Sequence, residues 1–249
     1  MVAQVPPQQT PCPESWKDRK HFAFSSICEL EMEHVFEEKD LGVIVDSDMD
    51  FEEHISKKVA LSNAIVGLIR RTFSYLDPQM FVKLFTALVR PHLEYGQAVW
   101  SPHMKKQIDA IEKVQIRATK LVDGFKDMTY EEGLRKLNLP TLAYRRLRGD
   151  IIEIFKHFNR YDQEILPPSF HPRARPSRQH KFQLHEVSSA DGERGAQSNF
   201  LYQRISWTWN ELPSSVVETE DINTFKNRLD EHWKDHPSKF DLTPMTSDS

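Results

Sequence analysis

The stretch KKQIDAIEKVQIRATK, residues 105–120, decides the fold class because its apolar residues recur at steps of three and four. This spacing is typical of an amphipathic helix that turns one stripe toward a protein core. We expect the helix to open with Ser101 as its cap and to stop at Gly124. The predicted core face consists of Met104, Ile108, Ile111, Gln115, Ala118 and Val122.

Cations recur along the same predicted helix at steps of seven, four and three, on a stripe opposite the apolar one. They are Lys106, Lys113, Arg117 and Lys120. At 1.5 Å per residue they cover about 21 Å of helix, a length that can follow a phosphate backbone. The alternative interpretation is an ordinary solvated helix face.

The sequence on both sides also follows a helical period. Two local signals mark helix starts: Asp77 followed by Pro78, and Thr129 followed three residues later by Glu132, the spacing of a capping box. Pro140 is predicted to open the last long helix. The helix before residue 77 is predicted from residues at steps of three and four, which are Phe51, Ile55, Val59, Ser62, Val66 and Ile69.

A β-type pattern is confined to residues 21–50, where KDLGVIVDS contains a β-branched apolar run. The predicted fold class is therefore mainly α, a helical bundle with a small N-terminal β element. The predicted division of the chain is a disordered leader at 1–20, the β element at 21–50, a helical domain at 51–162, a linker at 163–199, an aromatic and helical segment at 200–236 and a tail at 237–249.

Composition excludes several classes of protein. With 8 glycines in 249 residues, and no GxGxxG, Walker or GxSxG motif, the chain does not resemble a glycine-loop nucleotide enzyme or a serine hydrolase. The cysteines, Cys12 and Cys28, form no CxxC pair, which favours a reducing, intracellular compartment, nuclear or cytoplasmic. The N-terminus lacks the pattern of a signal peptide, and no apolar run of about 18 residues predicts a membrane span.

Two stretches resemble active or metal sites at first sight. In FTALVRPHLEYGQAVWSP, residues 85–102, His92 and Tyr95 share the apolar stripe, and Arg90 lies four residues before Glu94, so we interpret it as a bent, packed helix. In DSDMDFEEH, residues 46–54, the sixth and twelfth positions do not fit a calcium loop. A divalent-metal site at Asp46 and Asp48 stays open, although helix capping is the simpler interpretation.

Charge is unevenly distributed although the net charge is only −4. Residues 55–160 contain 19 Lys and Arg against 10 Asp and Glu, so a polyanionic partner is expected for this part. The alternative is two domains that neutralise each other. The predicted phosphate-binding cations are Arg70, Arg71, Lys106, Lys113, Arg117, Lys120, Arg145, Arg146 and Arg148.

Five long phrases occur in an order that indicates a known family. They are EEKDLGVIVDSDMDFEEHI (37–55), RRTFSYLDPQMFVKLFTALVRPHLEYGQAVWSP (70–102), IEKVQIRATKLV (111–122), YEEGLRKLNLPTLAYRRLRGDIIEIFK (130–156) and WTWNELPSSVVETEDINTFKNRLDEHW (207–233). Together they resemble the C-terminal part of the reverse transcriptases of non-LTR retrotransposons, of the jockey and CR1-like kind. The resemblance covers roughly residues 21–236.

The resemblance implies that residues 41–45 lie near the primer grip, that 51–160 form the helical thumb, and that its cations face a template–primer duplex, either RNA–DNA or DNA. The paired palm aspartates of the family are not in this sequence, so Mg²⁺ would belong to the missing palm, and no cofactor is expected here. A palm domain in trans is one candidate partner, and a palm encoded upstream is the alternative.

The function expected from this resemblance is that of a catalytically incomplete polymerase fragment that retains binding to the nucleic-acid backbone. Two alternatives are a protein-interaction module and a remnant of a mobile element without a retained function. A third is an independent metal-dependent enzyme that uses Asp46 and Asp48.

Overall fold

A two-stranded antiparallel sheet followed by helices makes up the described part of the chain. The computed structural model describes residues 37–160, 180–184 and 200–242, and these belong to one compact unit. The predicted fold class, mainly α with a small β element, is confirmed. The predicted leader, the first part of the β element, most of the linker and most of the tail lie outside the described residues.

The sheet is a hairpin of β1 (Glu37–Asp40) and β2 (Val43–Asp46), with Glu37 opposite Asp46 and Asp40 opposite Val43. Its two turn residues, Leu41 and Gly42, both have positive φ, as a tight hairpin with right-handed twist requires. Leucine rarely adopts this conformation. The Tyr95 hydroxyl holds the turn by donating a hydrogen bond of 2.8 Å to the Leu41 carbonyl.

The first helix, α1 (Glu52–Thr72), begins after a loop that Asp46 organises. The Asp46 carboxylate accepts hydrogen bonds from the backbone amides of Asp48, Asp50 and Phe51 at 2.7–3.1 Å. The residue before the helix is Phe51, in a left-handed conformation and without a side-chain cap. The predicted capping role therefore belongs to Asp46 acting on the loop as a whole.

The second helix, α2 (Pro78–Leu84), begins as predicted, with the Asp77 carboxylate capping its first amides. It passes through a π-helical turn, Phe85–Val89, into α3 (Arg90–Glu94), and α4 (Gln97–Trp100) follows. The cause of the π turn is Pro91, because its ring cannot approach the carbonyl four residues earlier in a regular α-helix. The predicted bend thus takes the form of a widened turn.

The stretch KKQIDAIEKVQIRATK forms α5 (Lys105–Thr119). Of the predicted core face, Ile111, Gln115, Ala118 and Val122 are buried. The predicted Ser101 cap is wrong, since the helix begins after Met104 and has no side-chain cap. It also ends earlier than predicted, at Thr119 rather than near Gly124.

The first of the next two helices has a local cap, and the second has both a local and a long-range one. The local cap of the second is the Thr141 hydroxyl, which accepts the Tyr144 amide at 3.0 Å. In α6 (Tyr130–Leu137) the predicted capping box of Thr129 and Glu132 is confirmed. The long helix α7 (Leu142–Arg160) begins two residues after Pro140. Its first two amides, of Leu142 and Ala143, donate to the carboxylate of Glu112 on α5, at 3.1 and 3.3 Å.

The C-terminal segment contains α8 (Leu201–Glu211), α9 (Ser214–Val217), α10 (Ile222–His232) and a 3₁₀ turn (Pro237–Lys239). The Thr141 hydroxyl, at the start of α7, donates to the Ser238 carbonyl at 2.8 Å. The end of this segment therefore returns to the first turn of α7.

Two apolar clusters stabilise this arrangement. The first extends from Val43 to Leu142 and includes the buried side chains of β2 and of α1 to α6. The second contains the apolar face of α7 from Tyr144 onward together with α8, α9 and α10. Thus α7 begins in the first cluster and packs along the second. None of the described helices is long and apolar enough to cross a membrane.

Replacing Glu112 by Gln is expected to lower the free energy of unfolding by about 1–3 kcal/mol. One carboxylate oxygen that accepts the Leu142 and Ala143 amides or the Tyr130 hydroxyl becomes an NH₂ group, and the buried Arg146 loses one of the negative charges near it. Urea unfolding measures the change. The exposed Glu131→Gln is the matched control and should cost well under 1 kcal/mol. Adding Arg146→Met to Glu112→Gln should restore part of the loss. Equal effects of the two glutamate changes would contradict this role for Glu112.

His54 is expected to make stability fall in acid. It is buried, its Nδ1 accepts the Ile44 amide at 3.1 Å, and burial lowers its pKa to about 4 from the ordinary 6.5, with the nearby Lys58 charge acting in the same direction. Between pH 6.5 and 4 the unfolded chain binds a proton that folded His54 does not, so the free energy of unfolding falls as pH falls. The free energy of unfolding, measured across this range, should fall less steeply with falling pH in His54→Gln than in His92→Gln. An identical pH dependence in both variants would show that His54 is not the group responsible for the loss of stability in acid.

Candidate nucleic-acid interface

The helices α1 and α5 lie side by side and run parallel. Lys106 pairs with Glu52 at 2.9 Å and Arg117 donates to Asn63 at 3.2 Å, and both pairs are separated by 54 residues. A constant separation over three helical turns means that the two helices keep one register. Each position on α5 therefore lies level with the α1 residue 54 positions earlier.

This register brings the cations of two separate stretches to one edge. Asn63, Gly67 and Arg70 follow each other at steps of four and three, so Arg70 lies on the side of α1 that faces α5. Arg71 extends the same turn. Level with residues 59 and 63 of α1 lie Lys113 and Arg117. We call the surface formed by Arg70, Arg71, Lys113 and Arg117 the cationic edge.

The side chains of the cationic edge are available to a ligand. All four are exposed. Within the described residues, Arg70, Arg71 and Lys113 form no ion pair, and Arg117 has the neutral Asn63 amide as its partner. At the last turn of α1 the two arginines also complement the negative end of the helix dipole. The edge spans about 18 Å, from the level of residue 59 to residue 71.

Two of the other predicted cations on α5 are already engaged. The Lys106 ammonium contacts both carboxylate oxygens of Glu52, an exposed pair that is weak in water. Lys120 donates to the backbone carbonyls of Lys126 at 3.0 Å, Phe125 at 3.5 Å and Met128. Lys120 therefore fastens the loop that follows α5, and the predicted stripe of four cations is interrupted at both ends.

The arginines of α7 have structural partners. Arg145 binds Glu94 through two hydrogen bonds of 2.5 and 2.9 Å, and Arg148 binds Asp230 through two of 2.6 and 2.7 Å. Each pair connects α7 to another helix. The expectation that these arginines bind phosphate is therefore weakened for both, because each guanidinium already donates two N–H groups to a carboxylate that offsets its charge.

Arg146 does not lie on the surface. Its side chain is 5% exposed, and burial lowers the pKa of its guanidinium while the charges of Glu112 and Asp150 oppose that change. A side chain this deeply buried does not reach a phosphate outside the protein. We therefore remove Arg146 from the candidate interface, and with it the idea that all three arginines of YRRLRGD face nucleic acid.

Sequence reasoning missed the residue that arranges these helices. Glu112 is 1% exposed, accepts a hydrogen bond of 2.5 Å from the Tyr130 hydroxyl, and has its pKa raised by burial. Gln115 on the same helix donates to that hydroxyl and to the Pro140 carbonyl, both at 3.0 Å. The sequence did contain one signal for this role, because Glu112 is a carboxylate next to Ile111, on the apolar side of a predicted helix.

In the two stretches that resembled catalytic or metal sites, Asp46, Arg90 and Glu94 have structural partners. Within residues 37–160, 180–184 and 200–242, no group of three His, Cys, Asp or Glu side chains could hold a metal ion. The Asp46 carboxylate is occupied by backbone amides. Arg90 and Glu94 do pair, at 3.7 Å, although Glu94 binds Arg145 more closely.

Comparison with known proteins gives one relative of undetermined role. The chain is 24% identical over 135 residues to an uncharacterized protein of Caenorhabditis elegans. The aligned region covers 53% of this chain and 64% of that protein. The chain thus spans less than two thirds of the length of this relative. No family model matches the chain. No solved structure matches it either.

The different roles of two lysines on α5 can be measured. Lys120→Met should lower the free energy of unfolding by about 1–2 kcal/mol, because it removes charged hydrogen bonds to backbone carbonyls while keeping the aliphatic stem. Lys113→Met is the matched control on the same helix and should change stability by less than about 0.5 kcal/mol. Denaturant unfolding of both variants compares them. Equal stability of the two would show that Lys120 is as free as Lys113.

Proposed function

We propose that this chain is the C-terminal, thumb-containing part of a reverse transcriptase, the RNA-directed DNA polymerase of a non-LTR (LINE-type) retrotransposon, and that its own activity is to bind a template–primer duplex. The observation that carries the proposal is the cationic edge, where two helices in parallel register bring together Arg70, Arg71, Lys113 and Arg117. The ordered sequence resemblance supports it, as does the mainly helical fold.

The chemistry of the edge suits a nucleic-acid backbone. Three of its four members are arginines, whose planar guanidinium presents paired donors to phosphate oxygens. A length of about 18 Å corresponds to about five base pairs, at 3.4 Å per base pair. Contacts of this kind position a duplex without reading its sequence, so an RNA–DNA hybrid and a DNA duplex should both bind.

Polymerisation is not part of the proposed activity of this chain. The palm carboxylates that would hold Mg²⁺ have no counterpart in residues 1–249, so nucleotide addition is assigned to a palm domain outside them. In that arrangement this chain would grip the duplex while the palm performs nucleotide addition.

A second candidate function, a protein-interaction module, is favoured by one observation. Leu61 and Leu68 lie two turns apart on α1 and are each about half exposed, and Leu88 of the π turn is similarly exposed. An apolar surface of this kind is typical of contact with another protein. It lies on a different side of α1 from Arg70, so both functions are compatible.

Duplex binding should depend steeply on salt. With about four phosphate contacts, the logarithm of the association constant for a fluorescein-labelled RNA–DNA hybrid should fall with a slope of about −3 to −4 against the logarithm of salt concentration. Fluorescence anisotropy between 50 and 200 mM salt measures the slope. In the double variant Lys113→Ala/Arg117→Ala the slope should shrink by about two.

The control has the same loss of charge at another place. Lys83→Ala/Lys234→Ala removes two exposed lysines from α2 and from the C-terminal end, and should leave the slope close to that of the unmodified chain. Equal slopes for both double variants would reject the cationic edge as the binding surface. A lack of binding at 50 mM salt would reject the proposed function and favour the protein-interaction module.

A further inference from the structure

An aromatic cleft lies in the C-terminal segment. It has a volume of about 470 Å³ and is lined by side chains of α7, α8 and the residues at and after the end of α10. Its lining includes Trp207, of which 64% is accessible to solvent. Neither the sequence resemblance nor the proposed duplex binding assigns a role to this cleft.

The floor of the cleft consists of packed aromatic rings. The rings of Trp233 and His236 lie 5.2 Å apart between centroids, and both pack against the buried ring of Tyr144, at 5.9 and 5.5 Å. Leu147 and Leu212 add apolar lining. Such a preformed floor lets a ligand bind without first ordering the protein.

The wall formed by α8 combines a π surface with a negative charge. Trp207 and Glu211 are four residues apart, so they lie on the same face of the helix, one turn from each other. Both are exposed, and Glu211 has no ion pair within the described residues. An indole face beside a carboxylate is the arrangement that attracts a flat organic cation.

Charge argues against a nucleic acid in this cleft. Among the residues that the structure describes, no lysine or arginine lines it. Burial lowers the pKa of His236, which favours the neutral ring. Residues 200–242 contain eight Asp and Glu against five Lys and Arg, the reverse of the balance at 55–160. The negative charge of Glu211 would repel a phosphate and attract a guanidinium.

We propose that this cleft is a docking site for an arginine side chain of a partner polypeptide, with the guanidinium stacked on Trp207 and paired with Glu211. Arginine fits better than lysine because its planar group stacks on an indole and remains charged. The apolar floor would accommodate the aliphatic part of the side chain. The site is independent of the cationic edge and differs from it in the sign of its charge.

The test uses a peptide pair that differs only in charge. The probe is acetyl-Gly-Ser-Arg-Gly-Ser-amide, and its twin contains citrulline, the neutral isostere of arginine. Titration at pH 8 is followed through the indole N–H resonances in ¹H–¹⁵N spectra of the five tryptophans of the chain. The arginine peptide should shift the signals of Trp207 and Trp233, and the citrulline peptide should not.

Three variants locate the site. Trp207→Ala should weaken binding about tenfold, and Glu211→Gln about threefold. Both positions are exposed, so the fold should be retained. The matched control is Tyr75→Ala, which removes another exposed aromatic ring and should leave the affinity unchanged.

Several results would overturn the proposal. Equal binding of the citrulline peptide would remove the role of charge, and an unchanged affinity in Trp207→Ala would remove the role of the indole. Absence of any shift would show that the cleft takes no arginine. Shifts of Trp207 caused by an oligothymidylate but not by the peptide would instead make the cleft a base-stacking site. None of these results bears on the salt slope of the cationic edge.

Discussion

The buried carboxylate of Glu112 is the constraint on which the helical arrangement depends. It accepts the first two amides of α7 and the hydroxyl of Tyr130, so that one side chain of α5 fixes both the start of the longest helix in the second cluster and the position of α6. A carboxylate at a helix N-terminus is favoured by the free amides and by the helix dipole. Burial makes the arrangement obligatory, because an unpaired charge in the same place would be strongly destabilising.

The same arrangement divides the cations of the chain into two groups. Arg145 and Arg148 of α7 bind carboxylates of other helices, and Lys120 at the end of α5 binds carbonyls of the following loop. Those at the edge between α1 and α5 have no carboxylate partner among the described residues. The excess of Lys and Arg over residues 55–160 is therefore larger than the positive charge that a polyanion would contact, since several of these side chains stabilise the fold.

The molecule offers two surfaces of opposite electrostatic character. The cationic edge lies on the first apolar cluster, and the aromatic cleft with Glu211 lies on the second. The edge combines α1 with α5, and the cleft combines α7, α8 and the end of α10. Neither surface is therefore built by one contiguous piece of sequence. Opposite charge keeps the ligands of the two surfaces apart, because what binds one is repelled by the other. A duplex and an arginine-bearing partner could therefore occupy the chain together.

The sequence by itself determined the helical class, the small β element and the helix starts whose caps lie within three residues, such as Asp77 and the pair of Thr129 and Glu132. These features depend on neighbours along the chain, so their spacing is readable. The assignment to a reverse transcriptase also comes from the sequence and stays a prediction. Only the tertiary structure decided that Arg146 is buried, that Lys120 is engaged, that α5 begins after Met104 and that Glu112 caps α7. Glu112 lies 30 residues before its partner Leu142, and a helical period shows which residues share a face but not which other helix that face meets. Lys120 binds carbonyls five to eight residues away, in a loop that has no period from which the contact could be predicted.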